Sequence, residues 1–206
     1  MKLDPAHPVN LNQVTLGDPR MNASGQMCHG YMEIRYLLQE ALKNCREKIL
    51  EVDREFEASF GRSNGGMVWG YRMEDAEVAL IAMGSLASEA TVAADMLRDQ
   101  GTRAGVVGIR VYRPFPVEDL RLALSGARLA VVFDKNVSYG YEGATCSDLK
   151  AALYSSNSGP TVHNYIVGIG GRDVKARELA EVAQKSLRWI ESGRLEKGAE
   201  WLNCQI

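Results

Sequence analysis

Cysteine is sparse in this 206-residue chain, and its spacing excludes more than its number does. The four cysteines, Cys28, Cys45, Cys146 and Cys204, stand singly, with no CxxC pair. A four-cysteine zinc site and ferredoxin-type cluster spacing are therefore both excluded. They read as reduced, partly buried thiols. Cys28-His29 is no ligand pair, because neighbours in one extended segment seldom face the same metal and no second pair supports them. Histidine is scarcer still. His7, His29 and His163 lie far apart in unlike settings, and no Ser-His-Asp set, HExxH motif or paired-carboxylate pattern surrounds them. An excess of either charge is also lacking. The formal net charge is −2 and the isoelectric point is near 6.0, with no basic stripe, which argues against nucleic acid as a partner. No apolar run approaches the ~20 residues that a membrane-spanning helix needs. Met1-Lys2-Leu3-Asp4-Pro5 lacks the apolar core of a secretory signal. The expected location is the cytoplasm, away from membranes.

What is present is the composition of a folded domain, with 46% hydrophobic and 24% charged residues. Residues 1–30, rich in Pro, Asn, Gly and Ser, read as an extended N-terminal segment. Residues 31–61 read as one long connector helix. Ile34, Leu38, Ala41, Cys45, Ile49, Val52, Phe56 and Phe60 recur three or four apart, and Gly61 suits a left-handed C-terminal cap. Such a helix serves either as a connector or interface element, or simply as a core-packing helix. Ser63-Asn64-Gly65-Gly66 marks a break, and Met67–Met73 reads as a short edge strand.

From residue 67 to 193 the pattern is that of an α/β domain. Strands are expected at Val78–Met83, Ala104–Val111, Leu129–Phe133 and Thr161–Val167, and helices at Ser88–Gln100, Val117–Leu124, Ser147–Tyr154 and Val174–Ser192. Gly101 and Gly126 are read as helix ends. Apolar, β-branched strands separated by helices imply a three-layer α/β/α arrangement around a mainly parallel sheet with right-handed crossovers. The tail, residues 194–206, either packs on the domain or reaches a neighbour.

In an open sheet of this kind, ligands and partners meet the carboxyl ends of the strands. Four turns fall there. Gly84-Ser85 leads into a helix, and Ser85 reads as its cap, with docking of an anion or carbonyl on the free amides as the other use. Arg113-Pro114-Phe115-Pro116 is stiff and presents a guanidinium and a ring. It suits a protein interface, recognition of a carboxylate or phosphate, or a purely structural turn. Asp134-Lys135-Asn136 precedes the glycine-bearing Ser138–Gly143 turn. Asp134 there can orient a partner's basic group or form a solvated pair with Lys135. Gly168-Ile169-Gly170-Gly171-Arg172-Asp173 is neither a Walker motif nor GxGxxG, and Asp173 reads as the cap of a helix from Val174. Gly84, Ser85, Arg113, Phe115, Asp134, Lys135, Gly170, Gly171 and Arg172 are thus the candidate interface or anion-facing positions. No catalytic, cofactor-binding or metal-binding residue is assigned.

Taken in order, these turns resemble a known family. Residues 76–173 resemble the transketolase C-terminal-like domain in the alpha subunit of 2-oxoacid:ferredoxin oxidoreductases, the pyruvate synthase group. The matching stretches are Glu74-Asp75-Ala76-Glu77 with Val78–Ser85, Arg110–Pro116, Val131–Asn136 with Ser138–Gly143, and Gly168–Val174. Leu3–Val9 and Glu51–Phe56 extend the likeness upstream. A complete alpha subunit begins with a thiamine-diphosphate-fold domain that this sequence lacks. The resemblance therefore implies a split alpha subunit or a fragment, non-catalytic by itself, which docks the thiamine-bearing domains and shapes the approach of CoA. It implies, for the assembly, oxidative decarboxylation of pyruvate or a related 2-oxoacid to an acyl-CoA. The assembly would hold thiamine diphosphate, magnesium (Mg), CoA and iron–sulfur clusters, with none of these bound by this chain alone. Implied partners are the thiamine-binding beta, gamma and ferredoxin-like delta subunits, and ferredoxin for the complex. The same role in a 2-oxoglutarate, branched-chain, indolepyruvate, oxalate or arylglyoxylate enzyme is one alternative. A free-standing anion- or nucleotide-binding module is another.

Overall fold

The computed structural model describes residues 26–154, 159–193 and 198–205, with side chains from residue 35 onward. Residues 1–25 of the expected extended segment, including His7, lie outside the described residues, as do the side chains of Cys28 and His29.

The elements follow one another as α1 (Gln26–Phe60), β1 (Val68–Tyr71), β2 (Val78–Met83), α2 (Ser85–Asp99), β3 (Ala104–Ile109), α3 (Val117–Ala123), β4 (Leu129–Asp134), α4 (Ala144–Tyr154), β5 (Thr161–Ile166), a 3₁₀ turn (Ile169–Gly171), α5 (Ala176–Glu191) and β6 (Ala199–Trp201). Helix α1 begins before residue 31. Gly30 does not stop it, since one glycine inside a helix costs only about 1 kcal/mol. Gly61 ends it as expected, with φ +70° and its amide on the Glu57 carbonyl at 2.8 Å.

By its backbone contacts the chain forms two units, residues 1–45 and 46–206. In the first, the described part is helical, and Tyr36, Leu37 and Leu38 are exposed. The second unit holds the sheet. Its helical residues 46–60 are tied down by Arg46, whose guanidinium takes both carboxylate oxygens of Asp119 on α3 at 2.8 and 2.9 Å. Asp53 accepts the amides of Asn64 and Gly66 and the Ser63 hydroxyl, so the turn after the helix folds back on it. Those donors hold the Asp53 carboxyl below its ordinary pKa, the Asn64 amide first among them.

The six strands run in the order β1-β3-β2-β4-β5-β6, all parallel except β1, which pairs antiparallel with β3. Alternation assigns the faces. Val78, Leu80 and Ala82 of β2, with Val131 and Phe133 of β4, pack on α2 and α5. Ala79 and Ile81, with Ala130 and Val132, pack on α3 and α4 through Leu120, Leu124 and Leu149. The strands are thus buried on both faces, as the absence of polar alternation in the central ones requires. Helix α2 meets the sheet through Ala87, Ala90, Ala93 and Ala94, whose small side chains allow close approach. Helix α3 ends at Leu124 rather than Gly126, because a 3₁₀ bond from Ala127 to the Leu124 carbonyl closes the chain sooner. Part of the tail joins the sheet: β6 pairs with β5, and Glu200 meets Lys185 of α5 at 2.8 Å.

This strand order places the reversal of chain direction across the sheet between β2 and β4. That crevice is where a parallel α/β sheet offers a ligand the most room. Gly84-Ser85 lies on one side of it and Asp134-Lys135 on the other.

Candidate functional site

Lys135 is the hub of the strand-end edge. With Met83, Leu86, Phe133, Asp134, Asn136 and Thr145 it lines the crevice between β2 and β4. On one side a second crevice joins it to Trp69, Gly84, Ser85, Ser88 and Arg110. On the other a third joins it to Ser85, Glu89, Gly171, Arg172 and Asp173. The edge therefore gathers Arg110, Lys135 and Arg172 from the ends of three strands around the start of α2. The three cations are matched in number by Glu89, Asp134 and Asp173, but Asp134 is buried and bonded inward and Glu89 takes the Ala176 amide, while the amides of a helix start add partial positive charge. The arrangement favours an anionic or carboxylate-rich visitor.

Two expected caps are corrected. Ser85 is the first residue of α2, not its cap. Gly84 holds the cap position with φ +59° and no side-chain bond, a backbone angle that L side chains rarely adopt. Asp173 does not cap the last helix either. The chain stays extended through Lys175, and α5 starts at Ala176, where Glu178 accepts the Lys175 amide at 2.8 Å. The Ala176 amide is taken by Glu89 of α2 at 2.7 Å, so a tertiary contact does what the local sequence was expected to do.

Arg113 and Phe115 are brought together, but not with Lys135. The Arg113 guanidinium lies 4.2 Å from the Tyr112 ring centroid and 5.7 Å from that of Phe115, whose rings meet edge to face at 5.8 Å. One oxygen of Asp148 on α4 accepts both the Tyr112 hydroxyl at 2.6 Å and Arg113 at 2.7 Å. Burial and then the Asp148 carboxylate push the Tyr112 phenol above its ordinary pKa. The turn is a locked aromatic–cation platform whose charge is balanced from within. Gly170 adopts φ +69° in the 3₁₀ turn and lines none of the three crevices.

Asp134 faces inward. It is 2% exposed, and it accepts the amides of Thr145 and Cys146, both at 3.1 Å, and Asn164 Nδ2 at 3.0 Å. A carboxylate at the start of α4 thus satisfies donors that would otherwise be orphaned. Asn164 also accepts the Gly143 amide at 2.8 Å. Next to this group, Glu142 is equally buried and takes Lys150 Nζ and the Ser147 hydroxyl. Burial opposes charge on Lys150, yet the bond to Glu142 leaves its pKa above the ordinary value. Burial pushes the neighbouring Cys146 thiol up to about 12.

Asn164, Glu142, Asp148 and Lys150 escaped sequence reasoning. The available signal was polarity in the wrong place: β5 reads Thr-Val-His-Asn-Tyr-Ile although its last four residues are buried. His163 in that strand packs against Trp189, ring centroids 5.8 Å apart, and takes no place at the edge. Among the described residues, no three His, Cys, Asp or Glu side chains gather to hold a metal ion, and no helix is long and apolar enough to cross a membrane.

Comparison with known proteins adds the following. Residues 76–179, from β2 into α5, match the family described as pyruvate:ferredoxin oxidoreductase core domain II. The chain is 37% identical over 203 residues to the pyruvate synthase subunit PorA of Pyrococcus abyssi, covering 98% of this chain and 48% of that subunit. It is also 37% identical over 175 residues to the ketoisovalerate oxidoreductase subunit VorA of the same organism, covering 85% of this chain and 44% of the relative. The chain spans about half the length of the curated relatives it matches. Among solved structures, a split-gene transketolase, an inactive beta4 tetramer, aligns at 21% identity with a TM-score of 0.46, covering 58% of this chain and 41% of that one.

Proposed function

Because this chain belongs to the pyruvate:ferredoxin oxidoreductase core domain II family, we propose that it serves as the structural α/β portion of a multi-subunit 2-oxoacid:ferredoxin oxidoreductase. The observation that carries this reading is the family match, which spans β2 to β5 and all four strand-end turns. In this reading residues 67–193 form the docking domain. Its cationic edge at Arg110, Lys135 and Arg172 faces the polypeptides that bear thiamine diphosphate, magnesium and the iron–sulfur clusters, and borders the path of CoA. Among the described residues no carboxylate set gathers to hold a metal-bound diphosphate, and in this reading these residues are given no step of the reaction. Identity to PorA and VorA is equal, which leaves pyruvate and ketoisovalerate as the two substrates this reading favours for the assembly.

The test is CoA-dependent reduction of a viologen dye, with pyruvate and ketoisovalerate supplied separately. The expected result is no turnover by the purified chain and turnover after addition of companion subunits from the same source. Turnover by the 206-residue chain alone would overturn the proposal.

A second reading, a free-standing anion-binding module, is favoured by one observation: three cations converge at a helix start that has no side-chain cap. Calorimetric titration with inorganic pyrophosphate separates the two. Saturable micromolar binding by the isolated chain, lost in Lys135→Met, supports the module; no heat at millimolar pyrophosphate supports the assembly role.

A further inference from the structure

Trp69 on β1 is half-buried and forms one wall of the crevice that it shares with Arg110 and Lys135. Two glycines make room for it. A Cβ at Gly108, its partner on β3, would lie 2.2 Å from Cε2 and Nε1 of the indole, and a Cβ at Gly65 would lie 2.7 Å from the Trp69 Cβ. Glycine inside a strand weakens the strand and marks a place where another group approaches closely. Here that group is the indole, which lies over Gly108. The turn that carries Gly65 is held by Asp53 through the amides of Asn64 and Gly66. The ring is thus seated from two sides without being enclosed. Met83 and Ile109 continue the apolar wall, Ser85 and Ser88 add two hydroxyls, and Arg110 and Lys135 add two positive charges. No acidic residue lines this crevice, and among the described residues neither cation forms an ion pair. Arg113, by contrast, has its charge balanced by Asp148.

We infer that this crevice is a binding site for a free nucleotide, with the base against the Trp69 ring and the phosphates between Arg110 and Lys135. Three observations lead to that class of ligand. The crevice holds about 660 Å³, within the range of roughly 300–1,000 Å³ typical of small-molecule pockets. A flat ring beside unbalanced positive charge receives a base and an anion at once, because every base has a face to stack and Arg and Lys are the usual partners of phosphate. Ser85 and Ser88, at i and i+3 of α2, share one face of its first turn and offer their hydroxyls to phosphate oxygens. An inorganic anion uses only half of such a site, since it forgoes the ring. The crevice on the other side of Lys135 contains Glu89 and Asp173 and lacks both the ring and the surplus of positive charge. The nucleotide site adds to the assembly role proposed above and does not depend on it, because ring, hydroxyls and cations all belong to this chain.

The experiment titrates the full chain with ADP by calorimetry and follows quenching of tryptophan emission in parallel. Reductive methylation of lysines, read by mass spectrometry, reports contact with Lys135 in the wild type, and the exposed Lys48 serves as the control. The expected outcome is saturable binding that is about tenfold weaker in Trp69→Leu and in Lys135→Met, and close to wild type in Trp69→Phe. Pyrophosphate is expected to bind about tenfold more weakly than ADP, for want of the ring. ADP is expected to protect Lys135 from methylation and to leave Lys48 reactive. No saturable binding at millimolar ADP, or binding that Trp69→Leu leaves undiminished, would overturn the site. Equal methylation of Lys135 with and without ADP would do so without any variant. Pyrophosphate that binds as tightly as ADP would remove the ring from the argument and with it the nucleotide. CoA carries the same base and diphosphate within a larger molecule, and tighter binding of CoA than of ADP would overturn the choice of a free nucleotide. The assembly role is read separately, by the viologen assay, and none of these outcomes alters it.

Discussion

Asn164 Nδ2 donates to Asp134 Oδ2 at 3.0 Å, joining β5 to β4 just where the sheet hands the chain over to its loops. The same amide group reaches the Val132 carbonyl at 3.2 Å, and its oxygen takes the Gly143 amide. One side chain thus joins two strands and the loop that rises from them.

Asn164→Ala strands the Gly143 amide and removes a donor from Asp134. A buried donor left without a partner costs roughly 1–3 kcal/mol, and two such losses are expected to sum to about 3 kcal/mol. Urea unfolding checks this as a lower midpoint with an unchanged slope. Asn164→Asp sets a second carboxylate against Asp134 and removes the donor to the Val132 carbonyl, and is expected to lower the urea midpoint as well.

Gly143→Ala and Gly140→Ala separate crowding from backbone strain. A Cβ at Gly143 overlaps the Asp134 carboxylate, whereas at Gly140 it meets nothing within 4 Å but sits at φ +82°. The first is expected to lower stability by about 2–4 kcal/mol through a displaced buried network. The second is expected to cost about 1–2 kcal/mol for the left-handed backbone alone. Thermal melting of both variants ranks them.

Cys146 is expected to resist iodoacetamide at pH 8 while the exposed Cys45 and Cys204 react, because burial lifts its thiol to about 12. The folded chain keeps this proton where the unfolded chain loses it. The resulting stability is complete below the unfolded thiol's pKa of about 8.5 and declines as pH rises from there toward 12. Cys146→Ala is expected to flatten the alkaline limb of a stability–pH curve.

Lys150→Met leaves the Glu142 charge buried without its cation. Lys150 is 39% exposed, and water screens part of the loss, so the expected cost is about 1–3 kcal/mol rather than the ~3–5 kcal/mol of a fully buried pair. Glu142→Gln/Lys150→Met is expected to recover part of it, which a double-mutant cycle in urea measures.

The sheet was legible because its strands are written without ambiguity. Val78–Met83 and Leu129–Phe133 hold no polar residue, and a run apolar on both faces has a parallel interior as its natural place. Their carboxyl ends, and so Lys135 and Ser85, followed from topology. Helix starts were less legible. Ser85 and Asp173 are good capping residues by type, but Gly84 and the reach of Glu89 from another helix decided the outcome. Strand β6 was hidden because three residues, Ala-Glu-Trp, carry no readable period and are ordered by β5. The buried network was hidden for a related reason. Asp134, Glu142, Lys150 and Asn164 are common surface residue types, and only the fold brings them within bonding distance.

The Ser138–Gly143 turn, anchored by Glu142 and Asn164, also has a consequence for proteolysis. Chymotrypsin cuts after tyrosine, and Tyr139 offers its ring almost wholly to solvent. Cleavage, however, requires several residues of backbone to straighten into the protease cleft, and here that means first releasing Glu142, Asn164 and the start of α4. The most accessible tyrosine of this domain should therefore be cut at a rate set by local unfolding and not by its accessibility.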